Sequence, residues 1–359
     1  MKKTAMITAI TIAGLGLNSA PAMADNAEEI EALKKQLLAL EARIAKAEKQ
    51  EAAAPKIADS LTFSGVVEVE AAYSTDNDTG SDITVATVEL GVEAQLAENM
   101  TANVTALYEE DDTDLEIDVA TITIDQLAGT DLTLTVGQDY LPFGSLETNM
   151  VNDTLILELA EVRETAAILS WEKNGFSASA YTFNGDDADA DSSATESFGA
   201  RLGYANDNVS VGVDYIDNIL ETDALAAALS DAGYTAITDD ADGIAAHASF
   251  QTDTSFGGLT LLGEYVEADT IKSTGKNNIE PTAWQLEAAL DVQQWNFAVS
   301  YQETDNTEDL GLPEKRTSIS AATPLNDNVS LGLEYWHDED YKVNNNTDTD
   351  TDTDSFVVQ

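Results

Sequence analysis

The sequence predicts an all-β transmembrane protein, a 16-stranded antiparallel outer-membrane β-barrel with an N-terminal periplasmic coiled-coil helix. Three observations predict it: runs of about ten residues alternate apolar and polar, the connections between them alternate short and long, and aromatic residues gather at the ends of the runs. Composition narrows the field further. The chain has 359 residues, no cysteine, two histidines, and 67 Asp+Glu against 16 Lys+Arg, a net charge of −51. Such an acidic chain lacks the clustered Lys/Arg that displaces counterions from nucleic acid, so no nucleic-acid partner is expected. Without cysteine there are no disulfides, thiolate nucleophiles or Cys-ligated metals. Beyond the N-terminus no stretch is apolar for about 18 residues, so any crossing of a membrane falls to strands.

The first element is an address. Lys2 and Lys3 precede an uncharged stretch from Thr4 to Leu17, and Ala22-Met23-Ala24 supplies a small-x-small cleavage pattern before Asp25. Residues 1–24 read as a signal peptide, which exports the chain from the cytoplasm of a bacterium. In residues 25–54 the period changes to helix. Ile30, Leu33, Leu37, Leu40, Ile44 and Ala47 follow one another at spacings of three and four, the a/d seam of a coiled coil, with charged residues around it. A lone helix of this length is marginal in water, so homo-oligomerisation through that seam is expected, dimer and trimer both being open. Pro55 ends the helix, and residues 55–60 form a linker.

From residue 61 the period is two, and the barrel is assigned to 61–359. Leu61, Phe63, Gly65, Val67, Val69, Ala71 and Tyr73 share one face, with Thr62, Ser64, Glu68 and Glu70 between them. The pattern recurs at Val88, Leu90, Val92 and Ala94, at Ala102, Val104, Ala106 and Tyr108, at Leu115, Ile117 and Val119, and down the chain to Val329, Leu331, Leu333 and Tyr335. Short turns such as 172–175 and 205–208 alternate with long Asp-rich connections at 75–82, 141–162, 185–196, 218–242, 268–280, 303–314 and 338–353. Turns in the periplasm and loops outside is the asymmetry of an outer-membrane barrel, and an even count of sixteen strands is self-consistent. Tyr73, Tyr108, Tyr215, Tyr265, Trp284, Tyr301 and Tyr335 lie beside long loops, and Phe63, Trp171, Phe176, Tyr204, Phe250 and Trp295 beside short turns. Two aromatic rings suit a wall in outer-membrane lipid.

If the apolar parity meets lipid, the other lines the interior. It carries Glu68, Glu70, Glu89, Glu93, Glu109, Glu116, Asp118, Asp139, Asp214, Glu264, Glu287, Asp291 and Glu334, with Arg201 and Arg316 among few cations. Sixteen strands enclose water, so a cation-preferring lumen is expected. The long connection 141–162 is rich in Leu and Ile and carries Glu158 and Glu161, with Arg163 and Glu164 just after it. An apolar loop is expected to fold inward against the wall and narrow the passage, with a lid packed on other loops as the alternative. Thr222-Asp223 followed by Ala224, Leu225 and Leu229 reads as a capped short helix in the loop at 218–242. The residues expected at the constriction are Asp139, Glu158, Glu161, Arg163, Glu164, Arg201 and Arg316.

Val136-Gly137-Gln138-Asp139-Tyr140-Leu141-Pro142-Phe143-Gly144, followed by Leu157-Glu158-Leu159-Ala160-Glu161-Val162-Arg163-Glu164-Thr165-Ala166, resembles the signature of the LbtU-like siderophore porin family. Gly137, Pro142, Phe143 and Gly144 carry the motif. The resemblance covers essentially the whole mature chain, including signal, coiled coil and barrel, but is sharp only over 136–166. It implies a Gram-negative outer-membrane channel for passive or facilitated uptake of a ferric siderophore. A full-length last strand ending on an aromatic residue is the family pattern, and Gln359 after Phe356 and Val358 departs from it. A general small-solute porin fits the same residues, and so does a structural outer-membrane protein anchored by its coiled coil.

No enzyme, cofactor or metal site is expected. His247 and Ser249 share a strand face as in an outer-membrane phospholipase, but the apolar parity Ala246, Ala248 and Phe250 takes the lipid side, leaving the pair in the lumen. His337 beside Asp338 and Asp340 reads as a solvated loop residue. The acidic tracts Asp186 to Asp191 and Asn346 to Asp354 read as self-repelling loops.

Overall fold

The computed structural model describes residues 60–75, 80–110, 113–185, 197–234, 237, 240–273, 276–341 and 352–359. The expected signal peptide, the coiled-coil seam and most of the two acidic tracts lie outside them.

Sixteen strands form one closed antiparallel barrel in which every strand pairs with its neighbours in sequence and β1 meets β16. They are β1 (Leu61–Ser74), β2 (Ser81–Ala97), β3 (Met100–Tyr108), β4 (Glu116–Ile124), β5 (Leu132–Tyr140), β6 (Arg163–Lys173), β7 (Phe176–Phe183) and β8 (Ser197–Ala205). Then follow β9 (Val209–Ile216), β10 (Gly243–Asp253), β11 (Gly258–Ala268), β12 (Thr282–Val292), β13 (Trp295–Asp305), β14 (Lys315–Asn326), β15 (Val329–Glu339) and β16 (Thr353–Val358). Closure satisfies strand edges that would otherwise be open to lipid. At the seam β16 covers the loop end of β1, pairing Ala71 with Val358 through Ser74 with Ser355.

The barrel is inside out relative to a water-soluble protein. Phe63, Val67, Leu90, Val104, Leu202, Val213, Ile244, Leu286, Val299 and Ile319 are exposed, whereas Asp214, Glu264, Gln285, Glu287, Gln302, Ser318 and Glu334 are buried. That is the expected parity, apolar out and polar in. Aromatic neighbours pack along both rims, Phe198 with Tyr215 and Trp284 with Tyr301 at the loop end, Phe176 with Tyr204 at the turn end. Tyr265 and Tyr301 each donate their hydroxyl to the carboxylate two residues on, Glu267 at 2.8 Å and Glu303 at 3.1 Å, keeping the polar tip in water.

Local departures have local causes. A register shift between Thr105 and Ala106 inserts an extra residue in β4, so Val119 pairs with Thr105 rather than continuing the outward face of Ile117 as the alternation suggested. Gln138 then donates its amide to the Ile117 and Asp118 carbonyls at 2.9 and 3.0 Å. At the tight turn between β6 and β7, Asn174 and Gly175 both take positive φ, the geometry that matches strand twist. His337 is corrected from loop to strand: it lies in β15, and its Nδ1 is 2.9 Å from Asp354 Oδ1.

Two short helices sit among the loops, α1 (Leu157–Ala160) and α2 (Asp223–Asp231). Thr222 precedes α2 as expected but makes no side-chain cap; its hydroxyl donates instead to Ile219 O at 2.8 Å. Both helices belong to one apolar cluster with Leu141, Phe143, Val162, Ile168, Tyr181, Phe183, Ile216, Ile219, Tyr234, Val266, Ile271 and Leu310. The inward faces of β6, β7 and β11 near the loop end are therefore apolar, not wet. This is why β6, with Ala166-Ala167-Ile168-Leu169, lacks a clean apolar–polar alternation: its inner face, Ala166 and Ile168, packs on the apolar cluster while Leu169 faces outward. A buried side chain the size of Phe143 contributes about 1.5–3 kcal/mol through the area it removes from water.

Candidate functional site

The stretch 144–155 crosses the barrel interior in an irregular conformation. Its backbone groups have no ladder to join, and an unpaired buried N–H costs about 1–3 kcal/mol, so partners must come from the wall. They come from side chains that the strand parity points inward. Asp214 on β9 accepts from Gly144 N at 3.0 Å. Glu264 on β11 accepts from Ser145 N and Leu146 N at 2.5 and 3.1 Å. Glu287 on β12 accepts from Thr148 Oγ1 at 2.7 Å and Asn149 N at 2.9 Å. Glu334 on β15 accepts from Val151 N and Asn152 N at 2.6 and 2.8 Å, and Gln302 on β13 from Leu155 N at 2.7 Å. Glu264, Glu287 and Glu334 thus each take up donors from two loop residues, while Asp214 and Gln302 take one each.

The loop carbonyls are met by donors on the same wall. Gln285 Nε2 reaches Glu147 O at 3.3 Å and Ser320 Oγ reaches Asn149 O at 2.9 Å. Two arginines close the ends. Arg201 donates to Gly144 O and is bidentate to Asp214 at 2.7 and 2.9 Å. Arg316 donates to Asp153 O at 3.1 Å and is bidentate to Asp338 at 2.8 and 3.0 Å. Gly144 takes positive φ, and a Cβ there would lie 3.1 Å from Glu264 Oε1.

Beyond Leu155 the chain turns into the apolar cluster, with α1 against α2. Folding onto the wall and packing on other loops are therefore both realised, by different halves of one loop. Against this tethered mass lies a cavity of about 670 Å³, lined by Glu109, Asp114, Glu116, Asp153, Glu158 and Glu161, with Leu107, Tyr140, Leu157 and Arg163. A second space of about 570 Å³ lies along β1 to β4, lined by Thr62, Ser64, Glu93, Thr101, Asn103, Thr105, Thr121 and Thr123. Burial pushes the Asp153 carboxyl up from its ordinary range, with the Arg316 guanidinium opposing.

A family model described as Gram-negative porin matches residues 11–353. The chain belongs to the Gram-negative porin family. Among curated relatives, a UPF0422 protein of Legionella pneumophila strain Lens is 24% identical over 319 residues, covering 79% of this chain and 60% of the relative. A UPF0422 protein of Coxiella burnetii strain RSA 493 is 23% identical over 235 residues, covering 58% and 48%. The chain spans about 60% of the length of the first of these and less of the second. The outer membrane channel DcaP of Acinetobacter baumannii superposes with a TM-score of 0.60 at 13% identity, over 83% of this chain and 96% of that one. The anion-selective porin from Comamonas acidovorans gives 0.58 at 13%, over 83% and 98%, and the trimer form of OmpT from Vibrio cholerae 0.53 at 13%, over 83% and 97%. At these identities the likeness is one of fold.

The porin is thus an outer-membrane β-barrel of that family. Of the residues expected at its constriction, Glu158, Glu161 and Arg163 line the larger of these two cavities, Arg163 within 2.6 Å of Glu116 and 2.9 Å of Asp118. Arg201 and Arg316 clamp the loop. Asp139 and Glu164 face each other in the β5–β6 register, outside that cavity's lining. Of the motif residues, Gly137 takes φ 140 with Ala120 O where its Cβ would be, Phe143 is buried in the cluster, Pro142 is half-buried, and Gly144 turns the loop inward. Sequence reasoning missed Glu147, on the loop itself, and Gln285, Gln302 and Ser320 on the wall. The one signal of the last three is a polar residue at inward parity within a strand, which does not say what it will hold.

Proposed function

We propose that this porin prefers cations and that, as its resemblance over 136–166 implies, it admits a ferric siderophore. The observation that supports the cation preference is the lining of the 670 Å³ cavity: six carboxylates, with Arg163 the one cation in that described lining and paired with Glu116 and Asp118. Asp214, Glu264, Glu287 and Glu334 are committed to the loop, so in this reading selectivity rests on the carboxylates of the 670 Å³ cavity together with Glu93 in the second space. A field of one sign in a narrow low-dielectric passage concentrates counter-ions and repels co-ions. The anion-selective porin from Comamonas acidovorans has a similar barrel, so this reading assigns the sign to the lining residues and not to the barrel.

The acidic wall limits which chelates enter. Neutral or cationic iron chelates pass faster than anionic ones of equal size. Reversal potential across a planar bilayer in a salt gradient reads the first part, and uptake of labelled chelates beside an equal-sized sugar reads the second. An anion-selective potential overturns the preference, and faster entry of the anionic chelate overturns the solute reading.

In this proposal residues 1–24 are removed on export and residues 25–54 associate copies in the periplasm through Ile30, Leu33, Leu37, Leu40 and Ile44, joined by the linker 55–60 to the barrel 61–359. The trimer form of Vibrio cholerae OmpT makes three the number to test first. Deleting 25–54 lowers the detergent-extracted mass to that of one barrel while leaving it conductive; unchanged mass removes the seam from the account.

A further inference from the structure

We infer that the porin holds a water-sized monocation between the tethered loop and the wall, in the cavity lined by Gln285, His247 and Glu147. The inference rests on the cation preference proposed above and gives it a discrete site. The cavity is about 10 Å³, close to the room of one water-sized sphere, and Ser210, Ser249 and Glu264 also line it.

Its chemistry is that of acceptors. Gln285 is 1% exposed, and its Oε1 has no hydrogen-bond partner among the described residues. The other end of the same amide is pinned, since Nε2 donates to Glu147 O. His247 Nδ1 is likewise buried and without a partner, 3.7 Å from Asp214 Oδ2 and beyond hydrogen-bond reach. The imidazole lies against Gly212, where a Cβ would come within 2.3 Å of the ring, so the site depends on that glycine.

A buried acceptor left unpaired is costly, and Glu147 and Glu264 place two carboxylates in the lining. The nearby cation, Arg201, is committed to Asp214 and Gly144 O. Among the described residues no three His, Cys, Asp or Glu are placed to hold a metal ion, which disfavours a divalent ion. Amide, hydroxyl and carboxylate oxygens around a single-sphere volume suit potassium, ammonium or the primary ammonium end of a passing solute.

Crystals of the full chain soaked in rubidium chloride test this directly. An anomalous peak between Gln285 Oε1 and Glu147 is expected in the wild type and is lost in Gln285→Leu. In bilayers, conductance against potassium concentration saturates, and Gln285→Leu or Glu147→Gln raises the half-saturating concentration about fivefold, roughly 1 kcal/mol. Heat-modifiable migration on gels confirms that each variant is folded. Methylammonium that displaces the rubidium peak marks a primary ammonium as an occupant; failure to displace it leaves the inorganic ion. A water without anomalous signal, together with unchanged half-saturation in both variants, overturns the site. Reversal potential in the same bilayers separates this failure from that of the cation preference.

Discussion

Glu264 on β11 accepts the backbone N–H of Ser145 at 2.5 Å, joining a wall carboxylate to a loop residue 119 positions away in the chain. The same carboxylate takes Leu146 N at 3.1 Å, and Glu334 repeats the arrangement with Val151 and Asn152. Acidic side chains that would be read as selectivity charges are here the anchors of an irregular backbone.

Removing an anchor exposes its cost. Glu264→Ala and Glu334→Ala each strand two N–H groups, at about 1–3 kcal/mol per group, and lower the unfolding midpoint in detergent. Glu264→Gln retains one acceptor oxygen and recovers part of the loss. Single-channel recordings show added current noise in both alanine variants; quiet channels with an unchanged midpoint would remove these carboxylates from the loop's support.

The arginine clamps differ from surface pairs. Arg201→Ala leaves the fully buried Asp214 carboxylate without its guanidinium and costs about 3–5 kcal/mol. Lys173→Ala breaks an exposed pair with Asp131 and costs less than about 1 kcal/mol. Chemical denaturation of the two variants side by side checks the ranking.

Two glycines at positive φ separate steric from conformational cost. A Cβ on Gly137 would lie 2.0 Å from Ala120 O, so Gly137→Ala forces β4 and β5 apart and lowers the yield of folded barrel. Gly129 has open space around it, and Gly129→Ala costs only the αL penalty of about 1 kcal/mol. Equal folded yields would contradict the backbone contact.

Acid should weaken the proposed cation preference, with Asp153 contributing one step. Burial holds the Asp153 carboxyl above its ordinary value of 3.8, so it takes up a proton at higher pH than a solvated aspartate does. Its native state binds the proton more tightly than its unfolded state, so Asp153 lowers stability above that pH and the loss is recovered on acidification. Asp153→Asn therefore removes one step in a titration of reversal potential and modestly stabilises the barrel at neutral pH.

The outward wall tolerates charge poorly. Leu286 lies mid-strand and 58% exposed, and Leu286→Arg costs about 2–4 kcal/mol if that face meets lipid. Refolding into lipid vesicles measures it, and a neutral effect would deny the membrane its place on this surface.

Strand number, parity and the rims of aromatic residues were legible because each depends on neighbours two residues apart. Leu61 to Tyr73 or Val329 to Tyr335 state their outward face without reference to anything distant. Where legibility failed, a second partner had intervened. The inserted residue in β4 displaced Val119, β16 drew His337 into pairing with Asp354, and the apolar cluster covered the inner face of β6.

What the chain by itself determined is a closed wall, oily outward and polar inward, since a period of two and an alternation of turn lengths are local quantities. Only the tertiary structure decided which inward carboxylates face the passage and which hold the loop. Glu264 and Glu93 are alike in sequence, each an acid between apolar residues, and nothing within reach of either distinguishes them. The distinction arises when strands far apart in the chain close into one ring and bring Ser145 against the first and open space against the second, because a hydrogen bond depends on separation in space rather than along the backbone.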